Sequence, residues 1–254
     1  MHKNQPSEIG ALLLDIGAML MSSGANTNRI RLTIQRIGKS YNYKTDFLIT
    51  HRAIILTLKD SSGNVSFNEL KQTYAHIPNF KIVSGLSKLS WRIVEEKFSV
   101  KKARKEVKRL KALPHYPRFL VLSVVAFACS SFCRLNGGSF IEMAIVFIAA
   151  FLGLFLKQEL AKKKVNPFFN IFIASFFSAM LAGAMGQLLP YGHDRIIFIT
   201  SILYLIPGIQ LINSITDILD GNTLNGIVRA FIGLVVSFSI STGLLLAILI
   251  FNTN

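Results

Sequence analysis

The spacing of hydrophobic positions changes several times along this chain, and each spacing predicts a different kind of element. Ile9, Leu12, Leu13, Ile16, Met19 and Leu20 recur at helical intervals. Asp15 interrupts the run and Lys3 is its only basic flank, which favours an amphipathic helix over a signal peptide. Ser7 is placed to cap that helix and Gly24 to end it. A second helix is expected over 26–38, with Ile30, Ile34 and Ile37 inward and Arg29, Arg31 and Arg36 outward. The period then shortens. Phe47-Leu48-Ile49, the run 53–58 and Val65-Ser66-Phe67 are short and rich in branched or aromatic residues, and turn-forming residues 59–64 precede the third. These predict a small sheet flanked by helices, closed off at Pro78. Helical spacing returns over 82–98 through Ile82, Leu86, Leu89, Ile93 and Val94. Ser99 then caps a strongly basic helix with a narrow stripe of Val100, Ala103, Val107 and Leu110.

From residue 119 the polar positions nearly vanish. Apolar runs over about 119–135, 139–156, 167–189, 196–219 and 226–251 are long enough to read as membrane spans, the first being the shortest. Small residues recur every fourth position at Ser175, Ala179 and Gly183, at Ala182 and Gly186, and again at Gly233, Ser237 and Ser241. Such seams let helices approach closely in lipid. The expected fold is an α-helical membrane protein with about five transmembrane helices in 114–254, preceded by a cytoplasmic α+β domain in 1–113.

Charge sharpens this division. Of 28 Lys and Arg and 13 Asp and Glu, residues 1–118 hold 21 and 8, a balance of +13, while the remainder balances at +2. The basic helix over 99–113 and the cluster Lys157, Lys162, Lys163 and Lys164 belong inside by the positive-inside rule. Arg134 and Arg195 then mark outer turns, which puts the N-terminus in the cytoplasm and the C-terminus outside. Anionic lipid near the basic helix accounts for its lysines and arginines. Nucleic acid does not fit, because no aromatic stacking pattern accompanies them.

The fourth apolar run holds the chemistry. Pro207-Gly208 falls well inside it and breaks the helix. Beyond the break, Gln210, Asn213, Ser214 and Asp217 share one helical face, opposite Leu211, Ile212, Ile215 and Leu219. A polar stripe after a broken helix suits a transporter's substrate site, and equally a kinked helix whose polar end has reached the interface. Arg229 is placed either to hold a substrate carboxylate or to neutralise Asp217. Glu142, Arg134, Gly221, Asn225 and Gly226 are secondary candidates.

Other chemistries lack their residues. Cys129 and Cys133 sit one turn apart in an apolar span, with no nearby His or carboxylate to complete a metal site. His2, His51, His76, His115 and His193 form no metal-binding spacing, and no Walker A sequence is present. No cofactor is expected, and transport would be driven by gradients or a separate energy-coupling subunit.

Several motifs together resemble the threonine/serine exporter (ThrE-like) family. They are Pro207-Gly208, Leu211-Ile212-Asn213, Asp217, Gly221, Asn225-Gly226 and Arg229, with Tyr116-Pro117-Arg118 through Asn136-Gly137-Gly138 and His51 through Thr57. The stretches from Tyr116 to Gly138 and from His51 to Thr57 resemble the small, split members of the YjjP type. The resemblance implies a non-enzymatic exporter in the bacterial inner membrane, working with a second small membrane subunit. Its implied substrates are threonine and serine, or a C4-dicarboxylate such as succinate. The second helix departs from the family pattern: Arg29 is kept, but Asn26 and Arg31 stand where acids are usual. A role for those acids is therefore not carried over. A membrane-anchored enzyme and a membrane sensor or assembly factor are the alternatives, both resting on residues 1–113.

Overall fold

A computed structural model of the chain describes residues 5–73, 78–114, 116–189 and 195–252. His2, His76, His115 and His193 lie outside the described residues, as does the turn expected at 190–195 except for Arg195. The contacts divide the chain into two compact units, Met1–Pro114 with Ile209–Ala230, and His115–Gly208 with Phe231–Asn254. Residues 209–230, read from sequence with the membrane domain, group with the N-terminal residues because their polar side chains find hydrogen-bond partners there.

The first unit follows the predicted order of helices and strands, except that the first helix begins at Gln5, so that Ser7 lies within it and does not cap it. Helices α1 (Gln5–Ser22) and α2 (Thr27–Ser40) precede an antiparallel meander of β1 (Lys44–Ile49), β2 (Ala53–Lys59) and β3 (Val65–Gln72), followed by α3 (Phe80–Glu95) and α4 (Val100–Lys111). On central strand β2, Ile54, Leu56 and Leu58 are buried while the residues between them are half-exposed. Alternation of this kind aims every second side chain at the helices. Ile9, Leu12, Leu13, Ile16 and Leu20 of α1 and Ile30, Ile34 and Ile37 of α2 complete that core, all with no exposed surface. Gly24 ends α1 at φ +85°, with the Ala25 N–H reaching back to the Leu20 carbonyl. Only glycine adopts that left-handed geometry without strain. Asn26 and Ser99 cap α2 and α4 by accepting the N–H of Arg29 and Lys102.

The second unit contains α5 (Arg118–Leu135), α6 (Phe140–Lys162), α7 (Pro167–Gly186), α8 (Arg195–Ser201) and a 3-10 turn (Leu203–Leu205). Beyond Gly208 follow α9 (Gly208–Leu219) and α10 (Thr223–Asn252), the latter running on into this unit. Among the described residues four helices, α5, α6, α7 and α10, are long and apolar enough to cross a membrane, and the broken pair Arg195–Leu205 and Gly208–Leu219 makes a fifth if it counts as one span. Helix α6 continues past the expected end at 156 as far as Lys162. Arg118 holds it there, donating to Gln158 at 2.7 Å and pairing with Glu159 at 2.5 Å.

Small side chains, among them Ala126, Cys129, Cys133, Ala150, Ala174 and Ala179, alternate with larger ones such as Ile197, Phe198 and Ile240 in the packing of this unit. Both cysteines are buried, and neither is in a disulfide. The α7 seam is used within the chain: Ser175 donates to the Ile240 carbonyl at 2.8 Å, and the Ser178 and Tyr204 hydroxyls meet at 2.9 Å. Of the expected α10 seam Gly233 is buried, whereas Ser237 is half-buried and Ser241 exposed, and a close approach falls at Gly243. A Cβ at 243 would lie 2.7 Å from the Phe172 carbonyl oxygen, because Gly243 shares the buried stripe of Val236, Ile240 and Ala247.

Candidate functional site

The helix break forms where Pro207 predicts it, and its backbone groups are taken up locally. The Leu205 N–H reaches the Ile202 carbonyl at 3.0 Å, and the Gly208 N–H reaches the Ile206 carbonyl at 2.9 Å. Thr200 and Ser201 donate their hydroxyls to the carbonyls of Ile196 and Phe198. This tightening satisfies polar groups that could not be left bare in lipid.

Helix α9 then runs to Leu219 and stops at Gly221, φ +78°, with the Asn222 N–H donating to the Asp217 carbonyl at 2.7 Å. Helix α10 begins two residues later and turns back on α9. A Cβ on Gly226 would lie 2.8 Å from the Ser214 carbonyl oxygen, and the Ser214 hydroxyl donates to the Gly226 carbonyl at 2.8 Å. The two segments form a hairpin too tight for any larger residue at 226. Ser214 and Asp217 are its buried residues on α9, whereas Ile212, Ile215 and Leu219 are exposed. The amphipathic division read from sequence therefore holds, with the polar face turned inward.

Asp217 has no exposed surface. One carboxylate oxygen accepts the Thr27 backbone N–H at 2.9 Å, and the other accepts the Thr27 hydroxyl at 3.0 Å and faces Arg229 Nε at 3.2 Å. Thr27 is the first residue of α2, where free N–H groups and the helix dipole favour a negative charge. Arg229 also donates to the Ala25 carbonyl at 3.1 Å. Asn225 donates to the Ile49 carbonyl at 2.9 Å and to the Thr27 hydroxyl oxygen at 3.3 Å, and Asn213 donates to the Gly24 carbonyl at 2.9 Å. Removing one member of such a buried, hydrogen-bonded charge pair costs about 3–5 kcal/mol, since it strands the other.

Two further residues that were not site candidates in the sequence join this cluster. Arg31 donates to the Asn222 side-chain oxygen at 2.9 Å. His51, in the turn between β1 and β2, is held below its ordinary pKa, first by burial and then by the positive charges of Arg229 and Arg52. Nothing local marks Thr27 as the partner of Asp217; the one available sign was its place directly after a capping Asn.

Asn213, Asp217, Asn225 and Arg229 thus come together, and Gly221 and Gly226 shape the hairpin that carries them. Gln210 lies half-buried on the same helix, its side-chain amide without a hydrogen-bond partner among the described residues. Pro207 is buried, and nothing lies within 4 Å of a Cβ on Gly208. Glu142 and Arg134 have other work. Glu142 closes a capping box with Ser139 at the start of α6, and Arg134 donates to the Gly138 carbonyl at 3.0 Å beside the Phe140 ring. Among the described residues, no three His, Cys, Asp or Glu side chains gather as metal ligands.

The model of the ThrE family, described as "Putative threonine/serine exporter", matches residues 11–251. The chain belongs to this family. Its relatives include the "Probable succinate transporter subunit YjjP" of Escherichia coli K12, 25% identical over 99% of this chain and 98% of that one. The protein of the same name from Klebsiella aerogenes is 24% identical over 96% and 95%. The "Probable threonine/serine exporter" of Mycobacterium tuberculosis is 22% identical over 93% of this chain but only 45% of its own length. No solved structure matches the chain significantly. Family membership and the apolar helices together make this ThrE protein a multi-pass membrane protein of an exporter family.

Proposed function

We propose that the chain is one subunit of a bacterial inner-membrane exporter for small carboxylate-bearing metabolites: threonine or serine, or a C4-dicarboxylate such as succinate. It acts with a second small membrane subunit and without hydrolysing ATP. Relatives named as a succinate transporter subunit and a threonine/serine exporter support the solute classes and the subunit role, and the absence of a Walker A sequence supports a secondary mechanism. Residues 1–113 face the cytoplasm in this reading, with the basic helix over 99–113 near anionic headgroups.

The observation that carries the reading is the Asp217–Arg229 pair directly after the helix break. All the proposed solutes carry a carboxylate, the same group that Asp217 presents to Arg229. A solute carboxylate that takes Arg229 from Asp217 would leave Asp217 without its cation and loosen the hairpin from Thr27. Gln210, whose amide is unused, and Asn213 lie on the same face to receive the solute's hydroxyl or second carboxylate. The break at Pro207 leaves α9 free to move without dragging an unbroken helix.

Efflux from a strain lacking both subunits, complemented with this chain, its partner, or both, tests the assignment. Export should appear only with both. Efflux from proteoliposomes containing this chain alone would contradict it.

A further inference from the structure

Between α2 and α3 lies an open groove of about 500 Å³, lined by Asn28, Arg29 and Arg36 on one side and Ser87, Lys88 and Trp91 on the other. It holds three cations and no carboxylate. Elsewhere in this unit basic side chains meet acids, as Lys59 meets Asp46, Lys71 meets Asp15 and Arg92 meets Glu96. The Arg29 guanidinium and the Lys88 ammonium have no such partner among the described residues. Arg36 is half-buried and fixed. Its guanidinium lies 3.8 Å above the Trp91 ring and donates to the Ser90 hydroxyl at 2.7 Å. Like charges gathered around a concavity repel one another and focus a positive potential into it.

We propose that this groove binds a small polyvalent anion, either a dicarboxylate or a phosphate-bearing metabolite. Arg29 and Lys88 hold one anionic group from opposite walls, and Arg36, oriented by Trp91, holds a second. The Ser87 hydroxyl and the Asn28 amide add hydrogen bonds. A concave volume of this size suits a small ligand, and the fixed planar guanidinium suits bidentate recognition of carboxylate or phosphate oxygens. The site is distinct from the Asp217 cluster, although α2 carries both Thr27 and Arg29. The inference does not depend on what the chain transports.

Trp91 is the only tryptophan in the chain, so its emission reports on this groove directly. The full-length protein, purified in detergent, is titrated with succinate, with pyrophosphate and with chloride at matched ionic strength. Emission should change saturably with succinate or pyrophosphate and not with chloride, and calorimetry should give the same affinity. Arg29→Gln/Lys88→Gln should weaken binding at least ~tenfold. Its thermal midpoint should stay unchanged, because neither side chain has a partner to lose. A response to succinate alone assigns a dicarboxylate, and one to pyrophosphate alone assigns a phosphate ester. Succinate also addresses Arg229 under the transport reading, so Asp217→Asn/Arg229→Gln should retain the Trp91 response if the groove is a separate site. Silence in both emission and calorimetry would overturn the proposal. So would undiminished binding by the Arg29/Lys88 double variant, loss of the response with the Asp217/Arg229 variant, or a response confined to phosphatidylglycerol vesicles.

Discussion

Asp217 accepts both the backbone N–H and the hydroxyl of Thr27, a residue 190 positions earlier in the chain. The contact fixes the start of α2 to a hairpin that follows the break at Pro207. Asn213, Asn225 and Arg229 join the same hairpin to Gly24, Ile49 and Ala25. Thr27→Val keeps the N–H and removes the hydroxyl, which both donates to Asp217 and accepts from Asn225. Leaving these buried groups short of a partner should cost about 1–3 kcal/mol. Chemical denaturation of the purified protein should show a lower midpoint for Thr27→Val and a nearly native one for Thr27→Ser.

His51 makes the same region sensitive to acid. Its pKa in the folded chain is lowered from 6.5 by burial, Arg229 and Arg52. The unfolded chain therefore binds the proton first. Stability is fully present above pH 6.5 and is lost as the pH falls toward the folded value. Thermal midpoints at about pH 7.5 and about pH 5.5 should differ more in the wild type than in His51→Gln, whose side chain does not titrate. An equal difference in both proteins would remove His51 as the sensor.

Much of this arrangement is legible in the sequence, and what is missing has a common cause. The alternation on β2, the isoleucines of α2, the Ser99 cap and the Pro207 break are each written within a few neighbouring residues, so spacing alone reveals them. The two faces of α9 were equally clear. What covers its polar face was not, because Thr27 and Ala25 lie far from Asp217 in the chain and carry no signal of their own. Helix α6 outruns its apolar stretch for the same reason, its end being held by Arg118 from another helix. Glu142, a secondary candidate, also closes a local capping box with Ser139, three residues earlier, which is legible in the sequence as Ser followed by Glu.

Topology turns on whether the broken pair Arg195–Leu205 and Gly208–Leu219 crosses the membrane. Reporter fusions after Lys164 and after Asn254 are separated by α7, that pair and α10. Three crossings should give opposite signals, with Lys164 in the cytoplasm. Equal signals would mean that the pair enters and leaves on one side.

The most direct measurement is efflux rate alongside membrane abundance for Asp217→Asn, Arg229→Gln and the double variant, each with the second subunit present. Each single substitution strands a buried group, at a cost of several kcal/mol, far more than a surface pair is worth. Both singles should lose export. The double variant leaves no unpaired charge and should regain abundance, but it should stay inactive because Arg229 is no longer there to take the solute carboxylate. Wild-type efflux from either single variant at normal abundance would contradict the account. Full efflux from the double variant would also contradict it, since the pair would then be structural and the solute bound elsewhere.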